Sequence, residues 1–285
     1  MTRLQTALAA SALLALPLFA HAENDSPWLP IPQQFLVTGS IVDQSASDAY
    51  IGKTKLPLTA ITGGAASKFK RTTTAVRLDY GLTDALALDV SLGYAKVKAG
   101  AADSDSGLAD STIGLRWRAL DEYESPRLPT VTLRAGAILK GSYEGARLAA
   151  LGNNENGIEI AAIIGKQLTA AIALWGSVGV QDRAGGVPNA TFYELGARWR
   201  IVPGLNATLA YAGKQYGGNL DIGGPGFSPD RFQQVRAERQ LLKLGVGYAI
   251  AGNQGVNLSL QSFVGDGRNT PRDNRIIGVA YTVGF

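Results

Sequence analysis

Six arginines recur on the polar side of the alternating patterns in this sequence, and their side chains are the best placed to bind an anion. They are Arg77, Arg116, Arg118, Arg134, Arg198 and Arg200, and Asp89 and Glu194 share that side. A guanidinium is always charged and presents a fork of N–H donors that matches a carboxylate. Two interpretations are open: a constriction of fixed positive charge that favours anions in a pore, or a structural ladder in which the arginines pair with carboxylates such as Asp79.

The chain lacks the residues on which most catalytic and metal sites depend. It has no cysteine, and its single histidine, His21, lies in a segment that we interpret as a cleaved leader. Thiolate nucleophiles, imidazole bases and Cys/His metal sites are therefore excluded from the processed chain. We predict no catalytic residue, no cofactor and no metal ligand. A surface hydrolase is the weaker alternative, since Ser and Asp alone would lack a histidine base.

Apolar and polar residues alternate through most of the chain, which is the period of a β-strand. Residues 85–94, ALALDVSLGY, show it clearly, with Leu86, Leu88 and Val90 on one face and Ala87, Asp89 on the other. The pattern predicts twelve strands, at 35–46, 68–80, 85–98, 108–119, 128–142, 156–167, 170–183, 190–202, 205–216, 238–251, 254–265 and 274–285. Short turns alternate with long polar connections at 47–67, 99–107, 143–155, 217–237 and 266–273. This organisation predicts an all-β fold, a transmembrane antiparallel up-and-down β-barrel of about twelve strands over residues 35–285.

A soluble β-sandwich would show the same alternation, so the placement of charged and aromatic residues decides between them. On the apolar columns, charges occur only near strand ends, at Lys70, Lys96, Lys98, Asp182 and Arg275. The aromatic residues form two groups by height, Tyr80, Trp117, Trp199, Tyr248 and Phe285 near one end and Tyr94, Tyr193 and Tyr211 towards the other. Both features are typical of a surface that faces lipid between two interfaces.

The amino-terminal residues indicate export. Residues 1–22 combine an early cation, an apolar run and an Ala-His-Ala end, which predicts a signal peptide cleaved after Ala22. Residues 23–34 form a proline-rich tail that cannot be a central strand. We therefore predict a bacterial outer-membrane location, with outer-membrane lipids as partners. The net charge of +4 without a basic run indicates no nucleic-acid partner.

Three segments of the sequence resemble the outer-membrane family described as putative MetA-pathway of phenol degradation. They are YGLTD at 80–84, ALALDVSLGY at 85–94, and SGLAD at 106–110, which leads into STIGLRWR. Gly93 and Ala109 depart from that family's usual proline and glycine. The resemblance implies a channel or transporter, often assumed to pass aromatic or other hydrophobic compounds, and it implies no catalytic residues. The final column, Val279 to Phe285, resembles the signal by which the barrel-assembly machinery recognises such proteins.

The predicted function is passage of a small-molecule solute through a narrow lumen, because twelve strands fall between a filled barrel and an open porin. A non-conducting structural or adhesive barrel is the alternative. Residues 27–32 or the loop 217–237 could fold into the lumen and gate it, although a surface position suits the glycine-rich loop better.

Overall fold

The computed structural model describes residues 26–101, 103–143 and 152–285. The predicted signal peptide and its cleavage after Ala22 lie outside this part of the chain. The strands are β1 Phe35–Ile51, β2 Thr54–Pro57, β3 Phe69–Gly81, β4 Leu86–Ala99, β5 Asp103–Leu108, β6 Ser111–Leu120, β7 Thr130–Leu139, β8 Gly157–Gln167, β9 Ile172–Arg183, β10 Ala190–Val202, β11 Leu205–Tyr216, β12 Glu238–Ala251, β13 Gln254–Phe263 and β14 Pro271–Gly284. One short helix, α1 (Leu58–Ile61), and a 3-10 turn, Pro229–Gln234, accompany them.

The sheet closes on itself because the first and last strands pair antiparallel, with Leu36 opposite Gly284 and Gln44 opposite Ile276. Strands β5 and β6 both pair with β4, at its two ends, and so occupy one position in the wall. The short strand β2 pairs only with β1. The wall therefore has twelve strand positions, each antiparallel to its neighbours, and the predicted barrel is confirmed.

Each barrel strand turns its apolar column outwards. On β4, Leu92 and Tyr94 are exposed, while Ala87 and Asp89 are buried inside. Leu244 on β12 and Ile160 on β8 are likewise about half exposed. A continuous apolar surface of this kind would be costly in water, and lipid tails relieve that cost. No helix in the described ranges is long and apolar enough to cross a bilayer.

The two ends of the barrel differ. We call one end the short-turn end, because it carries the short turns and both the first and the last residues of the sheet. The opposite end, with the longer connections, is the long-loop end. Trp117, Trp199 and Phe285 are exposed at the short-turn end, where Phe35 also stacks on Tyr80 with ring centroids 4.2 Å apart. These aromatic side chains lie where the sequence predicted an interfacial ring.

Two of the predicted loops contain regular structure. Strand β1 continues to Ile51 and is followed by β2 and α1 within residues 47–67, and β5 lies within residues 99–107. The expectation of long polar connections without regular structure there was wrong. The inward residues of the β1 extension are apolar, and Ala46 and Ala49 belong to a small core. Leu58 of α1 packs there with Phe69, Val97 and Ala99. This core braces one sector of the wall above the rest of the barrel.

Candidate functional site

All eight predicted site residues lie on inward-facing positions of the barrel wall. The side chains of Arg77, Asp89, Arg116, Arg134 and Glu194 are buried, and those of Arg118, Arg198 and Arg200 are half-buried. The candidates do not form one ring. They divide into a charge ladder along β3 to β8, a separate ion pair, and a group near the short-turn end.

The charge ladder is a row of six buried side chains: Arg77, Asp79, Arg116, Asp89, Arg134 and Glu159. Arg77 binds Asp79 through two hydrogen bonds of 2.9 Å. Arg116 donates to Asp79, and its Nε lies 3.5 Å from Asp89. Arg134 holds Asp89 through Nη2 at 2.7 Å and Nε at 3.2 Å, and its Nη1 donates to Glu159. Three guanidinium groups thus alternate with three carboxylates, and their charges cancel.

The strand register explains why this ladder forms. Asp79 faces Asp89 across β3 and β4, and two like charges in that position repel each other unless cations lie between them. The same row continues through Gly114 and Gly136 to Glu159. A Cβ on Gly114 would lie 2.7 Å from Nη2 of Arg134, so glycine here leaves the space that the guanidinium occupies. For these three arginines, the geometry is that of the structural ladder.

The other candidates have different neighbours. Glu194 accepts a hydrogen bond of 2.6 Å from Lys243 and one of 3.1 Å from the Trp175 indole. Arg118 pairs with Asp121 at 3.1 Å, beside the turn between β6 and β7. Arg200 shares the inward column of β10 with Arg198.

The amino-terminal segment lies against the inner wall at the short-turn end. The Trp28 indole donates to Glu122 at 2.9 Å, and the Arg198 guanidinium lies 5.4 Å from the centre of the Trp28 ring. The carbonyl of Pro27 accepts a hydrogen bond of 2.7 Å from Thr132, an inward residue of β7. A Cβ on Gly165 would lie 2.4 Å from the Pro27 ring. Residues 27–30 therefore occupy part of this mouth.

A cavity of about 340 Å³ lies in the long-loop half of the lumen. Its apolar lining includes Val42, Ile138, Phe192, Leu241 and Ile276. Its charged lining, within the described residues, consists of five cations and one carboxylate: Arg71, Arg183, Lys214, Arg239, Lys243 and Asp110. Arg183 pairs with Asp110 and Lys243 with Glu194, so cations outnumber carboxylates among the described side chains around this cavity.

The single carboxylate of the cavity is itself held in place. Arg183 Nη1 lies 2.5 Å from Asp110, and the Tyr143 hydroxyl donates to the same carboxylate at 2.5 Å. Burial and the neighbouring negative charge raise the pKa of Tyr143 far above its usual value, so the hydroxyl remains a donor. Asp110 is therefore engaged by protein groups.

Two long loops at the long-loop end of the barrel share one carboxylate. Asp221 in the loop after β11 accepts hydrogen bonds from Arg236 at 2.8 Å, from Arg268 at 2.9 Å and from Asn269 at 2.8 Å. These donors, Arg236 first, hold the pKa of Asp221 well below its usual range. The loop 217–237 is thus fixed to the β13–β14 loop.

The predicted site residues do not include the cavity cations Arg71 and Lys243. Arg71 and Lys243 lie on the inward columns that the alternation identified, yet nothing in the local pattern separates them from Arg77 or Arg116. The ladder arginines differ in having Asp79, Asp89 and Glu159 beside them in the row. That depends on register, which the sequence pattern alone does not give.

The closed sheet, its outward apolar band and its polar lumen define a β-barrel of the outer-membrane type. The family described as putative MetA-pathway of phenol degradation matches residues 47–278, most of the chain. The protein belongs to this family, as its turn and strand motifs predicted.

Several solved structures share the fold. The COG4313 outer membrane channel from Pseudomonas putida F1 is 19% identical with a TM-score of 0.70, over 90% of this chain and 97% of that one. The NanC porin is 8% identical with a TM-score of 0.51, over 87% and 98%. The translocator domain of autotransporter NalP from Neisseria meningitidis is 10% identical with a TM-score of 0.50, over 90% and 89%. No curated protein matches the chain in sequence.

Proposed function

We propose that this protein is an outer-membrane channel that passes a small molecule through its lumen. The observation that carries the proposal is the cavity of about 340 Å³ inside the long-loop half of the barrel, lined by both apolar and charged side chains. A barrel whose only task was structural could fill this space with side chains, as smaller barrels do. Family membership supports the same role.

The lining favours a solute with an apolar body and a negative charge, such as an aromatic carboxylate. Phe192, Ile138 and Leu241 offer apolar contact to a ring or short chain. The excess of lysine and arginine over carboxylate raises the local concentration of anions, as charged rings do in other pores. The proposed solute thus keeps the hydrophobic character that the family resemblance implied and adds a charge.

The direct test is the ion selectivity of the purified barrel in planar bilayers. We expect a reversal potential on the anion side in a salt gradient, and a shift towards cations when Arg71 and Arg239 are replaced by glutamine. The matched control replaces Lys53 and Arg127, two exposed cations outside the cavity, which removes the same charge. Equal reversal potentials in all three proteins would refute the role of the cavity charges.

A non-conducting barrel is the second candidate, and the packing of the amino-terminal segment in the short-turn mouth favours it. Trp28→Ala removes the indole that contacts Glu122 and Arg198. If the segment gates a channel, this variant conducts more than the native protein. If neither protein conducts nor speeds the swelling of solute-loaded liposomes, the structural alternative is correct.

We further propose that the carboxy-terminal residue takes part in recognition by the barrel-assembly machinery. Phe285 is 75% exposed at the outer edge of the short-turn end. Its deletion should lower the amount of folded barrel in the outer membrane, measured by heat-modifiable gel mobility. The same amount of folded barrel after deletion would refute this role.

A further inference from the structure

Four exposed cations lie close together on the outer wall of the barrel, near its long-loop end. They are Lys70 on β3, Lys96 and Lys98 on β4, and Arg275 on β14, and we call them the basic patch. They occupy the outward columns, so they face away from the lumen and play no part in the proposed passage of solute.

The register makes the patch continuous. Lys70 lies directly opposite Lys98 across β3 and β4. Ser45 of β1 is the neighbour of both Lys70 and Arg275 on its two sides. The patch therefore runs across four adjacent strands, β14, β1, β3 and β4.

This arrangement carries an electrostatic cost that no ion pair among the described residues relieves. Directly opposed residues on one face have their Cβ atoms only about 5 Å apart, and like charges in that position destabilise the sheet. Within the described part of the chain, the four cations take part in no ion pair. Asp43 is the nearby carboxylate on the outward column of β1, and it accepts a hydrogen bond of 3.0 Å from Thr72. An external anion would offset the repulsion.

The patch lies at the height of a lipid headgroup. The outward column of β4 is apolar from Leu86 to Val90 and ends at Tyr94, with Lys96 and Lys98 as the next two outward positions. At about 3.4 Å per residue, Lys98 is about 14 Å beyond Tyr94 along the strand. With a strand tilt of about 45°, that is about 10 Å in height, just above the hydrocarbon boundary that a tyrosine marks.

The wall beneath the patch is tightly packed, which fixes the spacing of the backbone positions that carry its charges. The inward side chains that alternate with these lysines, Ala95, Val97 and Ala99, are fully buried in the small core under α1. Holding cations on a preformed surface reduces the entropy that binding must overcome.

The opposite side of the barrel lacks such cations. At the corresponding ends of β9, β10, β11 and β13, the outward positions are Asp182, Thr191, Gln215 and Ser262, all exposed. A general preference for cations at the membrane surface would place them all round the barrel. The concentration of positive charge in one sector indicates a localised ligand.

We propose that the basic patch binds the phosphate groups of a phosphorylated glycolipid of the outer leaflet, of the lipid A type. The ammonium and guanidinium groups neutralise the phosphates, and the hydroxyls of Ser45 and Ser106 on the same face add hydrogen-bond donors. The acyl chains of the lipid lie along the apolar columns below. The lipid thus relieves the repulsion between Lys70 and Lys98 and orients one sector of the barrel in the membrane.

The test compares two triple variants that lose the same charge. One carries Lys70→Gln, Lys96→Gln and Lys98→Gln, and the control carries Lys53→Gln, Arg127→Gln and Lys140→Gln at exposed sites outside the patch. Folded protein in detergent is titrated with bis-phosphorylated lipid A, and bound lipid is counted by native mass spectrometry. At about 1 kcal/mol for each basic residue near an anionic surface, we expect the patch variant to bind on the order of a hundredfold more weakly. The control should bind like the native protein.

A second measurement keeps the proposal testable if the patch variant does not fold. The native barrel is titrated with lipid A and with the same lipid after removal of both phosphates, and we expect a strong preference for the phosphorylated form. Equal affinity for the two lipids, or equal loss in both triple variants, would overturn the proposal. Ion conductance does not enter either measurement, so the outcome is independent of the channel function.

Discussion

Replacing Arg134 by glutamine should remove a large part of the stability of the folded barrel. Arg134 is 1% exposed and contacts Asp89 and Glu159, whose side chains are also 1% exposed. Its removal leaves two buried carboxylates without their main cation, and breaking a buried pair in this way costs about 3–5 kcal/mol. The glutamine amide can donate to one carboxylate and recover about 1 kcal/mol. We therefore expect the free energy of unfolding to fall by about 2–4 kcal/mol.

The assay is reversible urea unfolding in lipid vesicles, followed by tryptophan fluorescence. Lys55→Gln is the matched control, because the Lys55 side chain is 48% exposed and lies 4.0 Å from Asp48. Loss of an exposed pair costs at most about 1 kcal/mol. The double variant Arg134→Gln with Asp89→Asn should recover part of the loss, since one of the unpaired charges is then absent.

The result that refutes this reasoning is an Arg134→Gln barrel within about 1 kcal/mol of the native one, no more affected than the Lys55 control. In that case the ladder would be hydrated enough for water to replace the guanidinium. Arg77, Arg116 and Arg134 would then be accessible enough to act on a solute as fixed charges.

Three further predictions concern packing, the lipid-facing wall and the loops. Gly114→Ala should destabilise the barrel by about 1–3 kcal/mol, because the new methyl group would clash with the Arg134 guanidinium. Gly39→Ala is the control: no atom lies within 4 Å of the added Cβ, so urea unfolding should be unchanged. Leu244→Arg on the lipid face should lower the folded fraction in vesicles far more than Ser91→Arg in the lumen, and equal folding yields would contradict the assignment of faces. The pKa of Asp221 is depressed, so its contribution to loop stability is fully present above the ordinary carboxyl pKa of about 4 and is lost only as the pH falls towards the lower folded value. The native loop 217–237 should therefore resist protease equally from pH 7 to pH 5, and in Asp221→Asn it should be cleaved faster at pH 7. A decline in the resistance of the native protein over that range would contradict the role of Asp221 in holding the loop.

The strand pattern of the sequence alone was sufficient to predict the fold. Period two is a local property, so Leu86 and Leu88 necessarily share a face with Val90 wherever the strand lies in the sheet. Three further features then predicted a membrane-spanning barrel: the number of such segments, the alternation of short and long connections, and the position of the aromatic residues. The extension of β1 was missed because its apolar inward residues Ala46 and Ala49 pack in one core with Leu58 of α1, a contact between segments that no local pattern reveals.

The partners of the lumen charges required the closed tertiary structure. Arg77 and Arg71 are both inward arginines of β3, and the alternation does not distinguish them. Arg77 lies beside Asp79 and the ladder, whereas Arg71 lines the cavity. The contact between Trp28 and Arg198 likewise joins segments far apart in sequence. The strands, their two faces and the family could be predicted from the sequence, because they depend on local periodicity and short motifs. Which carboxylate each lumen arginine pairs with required the register and closure of the sheet, because electrostatic pairing depends on distance in space.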